Sequence, residues 1–314
     1  MTAGKRAGTA PAAPPVADLR QSIVEFARQA SLEITPHDRS MPASLVGRLP
    51  AATTLYVTHT PNTTLREVVE LAGAVERAGF KACPHIAARR IRHRSELADA
   101  VAALRHLGIT RALLVAGDLD TPAGPYPSTL DILESGLLAG AGITSIGVAG
   151  HPEGHPRISA EALWEALERK QAYGRSSGAT IYVVSQFGFG AAALAEWDRE
   201  LAERRIELPV HAGIAGPASL KSLARFAILC GIGASLRALL TSPSALGTLK
   251  SLVKTVDEIF PELVRLCGGP LGRRVVKPHF FAFGGVTKSV EWLEAVRAGR
   301  FDIDARSGAL AIRS

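Results

Sequence analysis

Eight short apolar runs, each followed by a stretch with helical spacing, constrain this chain more than any other feature of its sequence. The runs occupy residues 31–36, 53–58, 80–84, 111–116, 143–149, 180–185, 208–211 and 276–283. Their length, bounded by turn residues, fits buried strands. Helical patterns cover 18–29, 64–78, 95–107, 129–138, 159–176, 191–204, 217–229 and 243–266, and a last one starts near 287. Thr63 or Thr64 is the expected N-cap of the second of these, with Glu67 placed for a capping box. Strict strand–helix alternation gives a parallel sheet with right-handed crossovers. Eight such units fit a closed (β/α)8 barrel better than an open doubly wound sheet. No GxGxxG follows the first strand, as a Rossmann domain would require. The expected class is therefore α/β, a (β/α)8 TIM barrel in a single domain over residues 18–314. Residues 1–17, rich in Ala, Pro and Gly, read as a disordered lead-in.

Composition narrows the function classes. Hydrophobic residues make up 47% and charged residues 21%, enough for a sizeable core. The net charge is +7, with arginine scattered except for Arg89-Arg90-Ile91-Arg92-His93-Arg94. No RNA- or DNA-binding motif accompanies that charge, so small anionic ligands are the expected partners rather than nucleic acid. Cys83, Cys230 and Cys267 form no CxxC and are odd in number, which fits a reducing cytoplasm rather than a disulfide framework. No apolar run reaches the ~20 residues of a membrane span, and the N-terminus lacks the apolar core of a signal peptide. No second large domain follows residue 314, so no regulatory module of its own is expected.

In a (β/α)8 barrel the C-terminal strand ends converge on one mouth. Here they carry Glu33, Thr58 with His59, His85, Gly117 with Asp118, His151 with His155, Gln186, Gly213 and, near strand eight, His279. Each alone has an ordinary explanation. A carboxylate in an apolar strand is often a paired structural one, an aspartate after glycine often caps a turn, and a loop histidine is often simply hydrogen-bonded. The histidine spacing repeats no zinc signature, so no metal is expected. There is no GxSxG elbow, no P-loop and no Schiff-base lysine on an apolar strand. The joint pattern leaves acid–base chemistry and ligand holding by carboxylates, an amide and histidines.

At these residues the sequence resembles the methylenetetrahydrofolate reductase family. Leu32-Glu33-Ile34-Thr35-Pro36 is similar to its Phe-Glu-Phe-Phe-Pro start, and Cys83-Pro84-His85 to its Pro-His-Leu strand end. Gly117-Asp118 is similar to its Arg-Gly-Asp. Residues 148–156, Val-Ala-Gly-His-Pro-Glu-Gly-His-Pro, lie very close to its Ala-x-Tyr-Pro-Glu-x-His-Pro run. Ser185-Gln186-Phe187 resembles its Thr-Gln-Phe, and Ala212-Gly213-Ile214 its Pro-Gly-Ile. The motifs keep the family's order from residue 31 to about 283.

The resemblance implies an enzyme with FAD at the barrel mouth. NAD(P)H reduces the flavin, and the flavin passes hydride to 5,10-methylenetetrahydrofolate, giving 5-methyltetrahydrofolate. Carried over, Glu33 would be the general acid, Asp118 would orient the pterin and tune the flavin, and Gln186 and Leu220 would contact the substrate. Thr58, His85, Gly117, Tyr126, Ala149, His151, His155 and Lys170 would line the flavin. A homo-oligomer is implied as well. Between Leu32 and Ile34, Glu33 is expected to have a raised pKa.

Four departures from the family pattern stand out. Ala116 replaces the arginine before Gly-Asp, His151 replaces a tyrosine, Leu220 replaces a stacking phenylalanine, and the helix before Gln186 is about a turn longer. They keep two alternatives open: a flavin-free oxidoreductase taking hydride directly from NAD(P)H, and a non-catalytic folate-binding accessory protein.

Overall fold

A computed structural model describes residues 16–188, 190–219, 222–223, 254–267, 273–283 and 285–313. Eight parallel strands close into a barrel in sequence order: β1 (Ser31–Ile34), β2 (Thr54–Val57), β3 (Lys81–Ala87), β4 (Arg111–Val115), β5 (Ser145–Gly150), β6 (Thr180–Ser185), β7 (Val210–Ala215) and β8 (Val275–Phe281). β8 returns to β1 through Ser31 opposite His279 and Leu32 opposite Phe280. The expected (β/α)8 barrel is the fold.

The described helices that cover it are α1 (Val16–Arg28), α2 (Met41–Ser44), α3 (Leu65–Arg77), α4 (Arg94–His106), α5 (Thr129–Glu134), α6 (Leu137–Gly140), α7 (Ala160–Ser177), α8 (Ala191–Glu203), α9 (Val256–Cys267) and α10 (Val286–Arg297). α3 starts where its sequence says it should. Thr64 Oγ1 accepts from the Glu67 amide at 3.2 Å, and Glu67 Oε2 accepts from the Thr64 amide at 2.8 Å. Such a cap is worth about 1 kcal/mol. A hairpin of β9 (Phe301–Ile303) and β10 (Leu310–Ile312), absent from the sequence reading, follows the barrel.

Strand period separates two apolar regions. Leu32, Ile34, Leu55, Val57, Ile86, Leu114, Ile146, Val148, Ile181 and Val183 face outward and join the helices in the main core. The intervening residues face inward, where Tyr56, Cys83, Leu113, Tyr182 and Val184 form a second cluster on the barrel axis.

Three expectations shift. β3 does not stop at Pro84 but pairs on with β4 through Ala87, which places His85 inside the barrel rather than on a loop. Proline removes one ladder donor without ending the strand. β7 likewise runs on to Ala215 and takes in Gly213. The helix expected over 129–138 breaks after Glu134. There the Ser135 hydroxyl donates to Ile132 O (2.6 Å) and accepts from the Leu137 amide (3.3 Å), which starts a new turn. The lead-in over residues 1–15, most of the helical stretches at 217–229 and 243–253, and Leu220 lie outside the described residues.

Candidate active site

The floor of the barrel interior is a closed polar network. The Tyr56 hydroxyl is 3.0 Å from that of Tyr182 and 3.3 Å from His211 Nδ1, and Cys83 Sγ is 3.5 Å from the Tyr182 hydroxyl. Tyr182 and His211 stack at 4.3 Å. Burial pushes the Cys83 thiol up to about 11 and holds His211 well below the ordinary histidine range, so both are neutral.

Above this floor stands Glu33, with 13% of its side chain exposed. Because Leu32 and Ile34 point to the helices, Glu33 points to the axis, where it meets polar groups from three other strands. His279 Nε2 lies 3.3 Å from Oε1, His85 Nε2 lies 3.6 Å from the same oxygen, and Thr58 Oγ1 is 3.4 Å from Oε2. The Ser31 hydroxyl holds His279 Nδ1 at 3.0 Å and is 3.4 Å from Pro278 O. Burial pushes the Glu33 pKa up, but the His279 hydrogen bond, the charges of His85 and His279 and the Thr58 hydroxyl outweigh it, so the net shift is downward. This corrects the expected raised pKa. The apolar neighbours in sequence lie on the other face of the strand, and the neighbours in space are imidazoles. Burial also lowers His85 to about 4, so its ring is neutral near pH 7.

Asp118 is held differently. It follows Gly117, whose φ of +92° a side chain would strain and where an added Cβ would stand 3.5 Å from that of Ala87. Arg90 grips Asp118 bidentately, Nε to Oδ1 at 2.8 Å and Nη2 to Oδ2 at 2.7 Å, and also donates to Pro61 O at 3.1 Å. The Asp118 side chain is nonetheless 53% exposed.

Glu33 and Asp118 both line a cavity of about 600 Å³ that runs from the mouth between β4, β5 and β6 toward α7 and α8. Such a volume suits a sizeable organic ligand. Its wall holds His85, Gly117, Ala149, His151, His155, Lys170 and Gln186 from the sequence reading. His151 and His155 meet edge to face at 5.2 Å, and burial lowers both, His151 to about 4. Lys170 is buried, which pulls its ammonium down to about 8. No carboxylate among the described side chains pairs with it. Gln186 is fixed through its backbone, its amide donating to Gly150 O at 2.9 Å. Gly213 beside it leaves room that nothing larger could use, since an added Cβ would come 2.2 Å from Ser185 O.

Two of the expected ligand residues are not on this wall. Thr58 reaches the site only through Glu33. Tyr126 is buried in the main core, and its hydroxyl has no partner among the described residues. Arg157, Phe281 and the stacked pair Trp164–Trp197, none of them a residue the sequence marks, also line the cavity, as does Arg89 from the arginine cluster. It placed His279 only near the mouth, whereas His279 touches Glu33 directly. Strand parity was the available signal for His279 and Phe281, which alternate with the outward Phe280.

A sequence model of the family described as methylenetetrahydrofolate reductase matches residues 30–242, more than half of the chain. The chain belongs to the methylenetetrahydrofolate reductase family. Membership supports a methylenetetrahydrofolate reductase-like function, that is, an oxidoreductase of one-carbon folate metabolism. Among solved structures, a conserved protein of unknown function from Enterococcus faecalis is 13% identical over 86% of this chain and 65% of its own length, with a TM-score of 0.47. This chain thus spans 65% of that protein. The dihydropteroate synthase of Thermus thermophilus is 18% identical over 87% of this chain and 95% of its own, with a TM-score of 0.40. Likenesses at this level carry no argument about activity. Among the described residues no helix is long and apolar enough to cross a membrane.

Proposed function

We propose that this family member interconverts 5,10-methylenetetrahydrofolate and 5-methyltetrahydrofolate with NAD(P)H, through FAD held in the cavity. The observation that carries the reading is the joint placement of Glu33, Asp118, Gln186 and the unpartnered Lys170 on one wall system. The residues present fit a flavin dinucleotide. The cavity has the volume, Gly117 keeps its rim free of a side chain, and Lys170 offers a buried cation with no carboxylate of its own. Gly117, Ala149, His151, His155 and Lys170 would hold the cofactor, with His85 at its Glu33 end. Bound there, it would accept hydride from the nicotinamide and deliver hydride to the methylene carbon.

The chain's own residues supply the proton chemistry. Glu33 gives a proton to the folate amine, which opens the ring to the reactive iminium. In its present surroundings Glu33 is charged at neutral pH, so it must be recharged with a proton. His279 is placed to do this through Nε2. The Ser31 hydroxyl meets Nδ1 of His279 at 3.0 Å and has Pro278 O as a second partner at 3.4 Å. Covering the cavity with substrate removes water from Glu33 and strengthens burial, the influence that already pushes its pKa upward. Asp118, held at both oxygens by Arg90, is placed to accept from the pterin N–H groups. Gln186 fixes the folate with its amide.

The test is the purified protein with NADH or NADPH and methylenetetrahydrofolate. A yellow protein with a flavin absorption band that forms 5-methyltetrahydrofolate is the expected result. Colourless protein that still oxidises the nicotinamide with this substrate would remove the flavin and leave a direct-transfer reductase. Folate binding without turnover would leave an accessory protein.

A further inference from the structure

The charges around the cavity balance in number but not in place, and the cation at the mouth that no carboxylate meets is Arg89. Asp118 is paired with Arg90, Arg157 is ion-paired with Asp120, and Glu33 faces two imidazoles. Glu200 lines the cavity from α8 and makes no ion pair with either remaining cation. Those cations are Lys170 and Arg89. Arg89 stands at the end of β3, directly beside the Ala116–Gly117 corner. Its amide donates to Ala116 O at 2.9 Å, and a Cβ on Gly117 would lie 3.9 Å from its own. Its guanidinium is pinned without being neutralised, since Nε donates to Pro127 O at 2.9 Å and Nη1 to Leu119 O at 3.1 Å. Nη2 makes no hydrogen bond with the described side chains and backbone.

A cation fixed by neutral carbonyls keeps its full charge and loses little freedom when an anion arrives. This is the arrangement of an anion receptor rather than of a structural ion pair. Ala116 cannot supply a charge at this corner, and Arg89, in the turn that follows β3 and bonded to Ala116 through the backbone, can.

We propose that Arg89 binds the diphosphate of the dinucleotide in this cavity and sets its preference for a phosphorylated over an uncharged flavin. The proposal rests on the flavin reading above. It concerns binding only and asks nothing of Arg89 in turnover.

The experiment is equilibrium titration of the full chain with FAD, FMN and riboflavin, followed by quenching of flavin fluorescence. Arg89→Gln keeps donors for the two carbonyls while removing the charge, and Arg89→Lys restores a charge without the planar fork. The wild-type protein should bind FAD far more tightly than riboflavin. Arg89→Gln should weaken FAD by roughly tenfold or more while riboflavin stays within about twofold, and Arg89→Lys should fall between. A variant that misfolds would weaken all three flavins alike, and so would a merely structural role for Arg89; either outcome overturns the proposal. So does an unchanged FAD-to-riboflavin ratio in Arg89→Gln, which leaves the flavin reading standing. Failure of the wild-type protein to bind any of the three removes the flavin reading and this proposal with it.

Discussion

The two carboxylates of the cavity, Glu33 and Asp118, share a wall and differ in everything that decides acid–base behaviour. Glu33 sits deep on β1, 13% exposed, among groups that can each take or give a proton: two imidazoles and a hydroxyl. Asp118 sits at the rim, 53% exposed, in the grip of a guanidinium that never releases its proton. A carboxylate next to titratable partners can exchange protons with them. One gripped at both oxygens by arginine is oriented to accept hydrogen bonds from a ligand. Two chemically equal side chains thus acquire an acid role and an orienting role from their surroundings.

Breaking the deep half of this comparison has the largest expected effect. Glu33→Gln should lower folate turnover by about 10²–10⁴-fold, the usual contribution of a positioned acid, without loss of flavin binding. Steady-state rates together with flavin content check this. The next effect is on stability. A buried histidine whose folded pKa lies below its unfolded value stays neutral while the unfolded chain takes up a proton. Stability is therefore full above about 6.5 and falls as pH drops toward 4. For His85 the loss across that window amounts to about 3 kcal/mol. The depressed Glu33 acts in the same direction, its contribution being lost as pH falls through its folded value. Urea unfolding at pH 7 and near pH 4.5 should show the drop, and His85→Asn should flatten it; an unchanged slope would show that His85 is not buried neutral.

The rim half answers with smaller changes. Asp118→Asn removes a charged acceptor and should raise KM for the folate by about tenfold, with a smaller change in kcat. An equal fall in kcat and kcat/KM would mean that Asp118 acts in the transition state instead. Arg90→Met should cost only a few-fold, because its half-exposed partner is screened by water, with Arg90→Lys in between. If Arg90→Met matched Glu33→Gln in severity, the division between deep acid and rim anchor would be wrong.

Much of this was legible in the sequence. The barrel was readable because each apolar run is short, ends in a turn and is followed by helical spacing. Seven of the eleven residues named at strand ends line one cavity, and Thr58, His59, Gly213 and His279 do not. What sequence could not show is what touches what across the barrel. The pKa of Glu33 was misjudged because Leu32 and Ile34 are neighbours along the chain, whereas His279 and His85 come from strands β8 and β3. The Arg89–Arg90 pair was visible as a cluster of charge. Its division of labour, one side chain gripping Asp118 and the other turned to the cavity unpaired, depends on the loop after β3 meeting the loop after β4. Tyr126 enters only through the family resemblance, and it lies in the core.

The central claim is that Glu33 serves the folate half of the reaction and not the nicotinamide half. The most direct measurement separates the two in the anaerobic FAD-loaded protein. NADH or NADPH should bleach the flavin band in wild type and in Glu33→Gln at similar rates. Methylenetetrahydrofolate should then restore the band in wild type, and in Glu33→Gln only some 10²–10⁴-fold more slowly. Recovery at the wild-type rate in Glu33→Gln, or a variant that the nicotinamide no longer bleaches, would contradict the assignment of Glu33 as the folate acid.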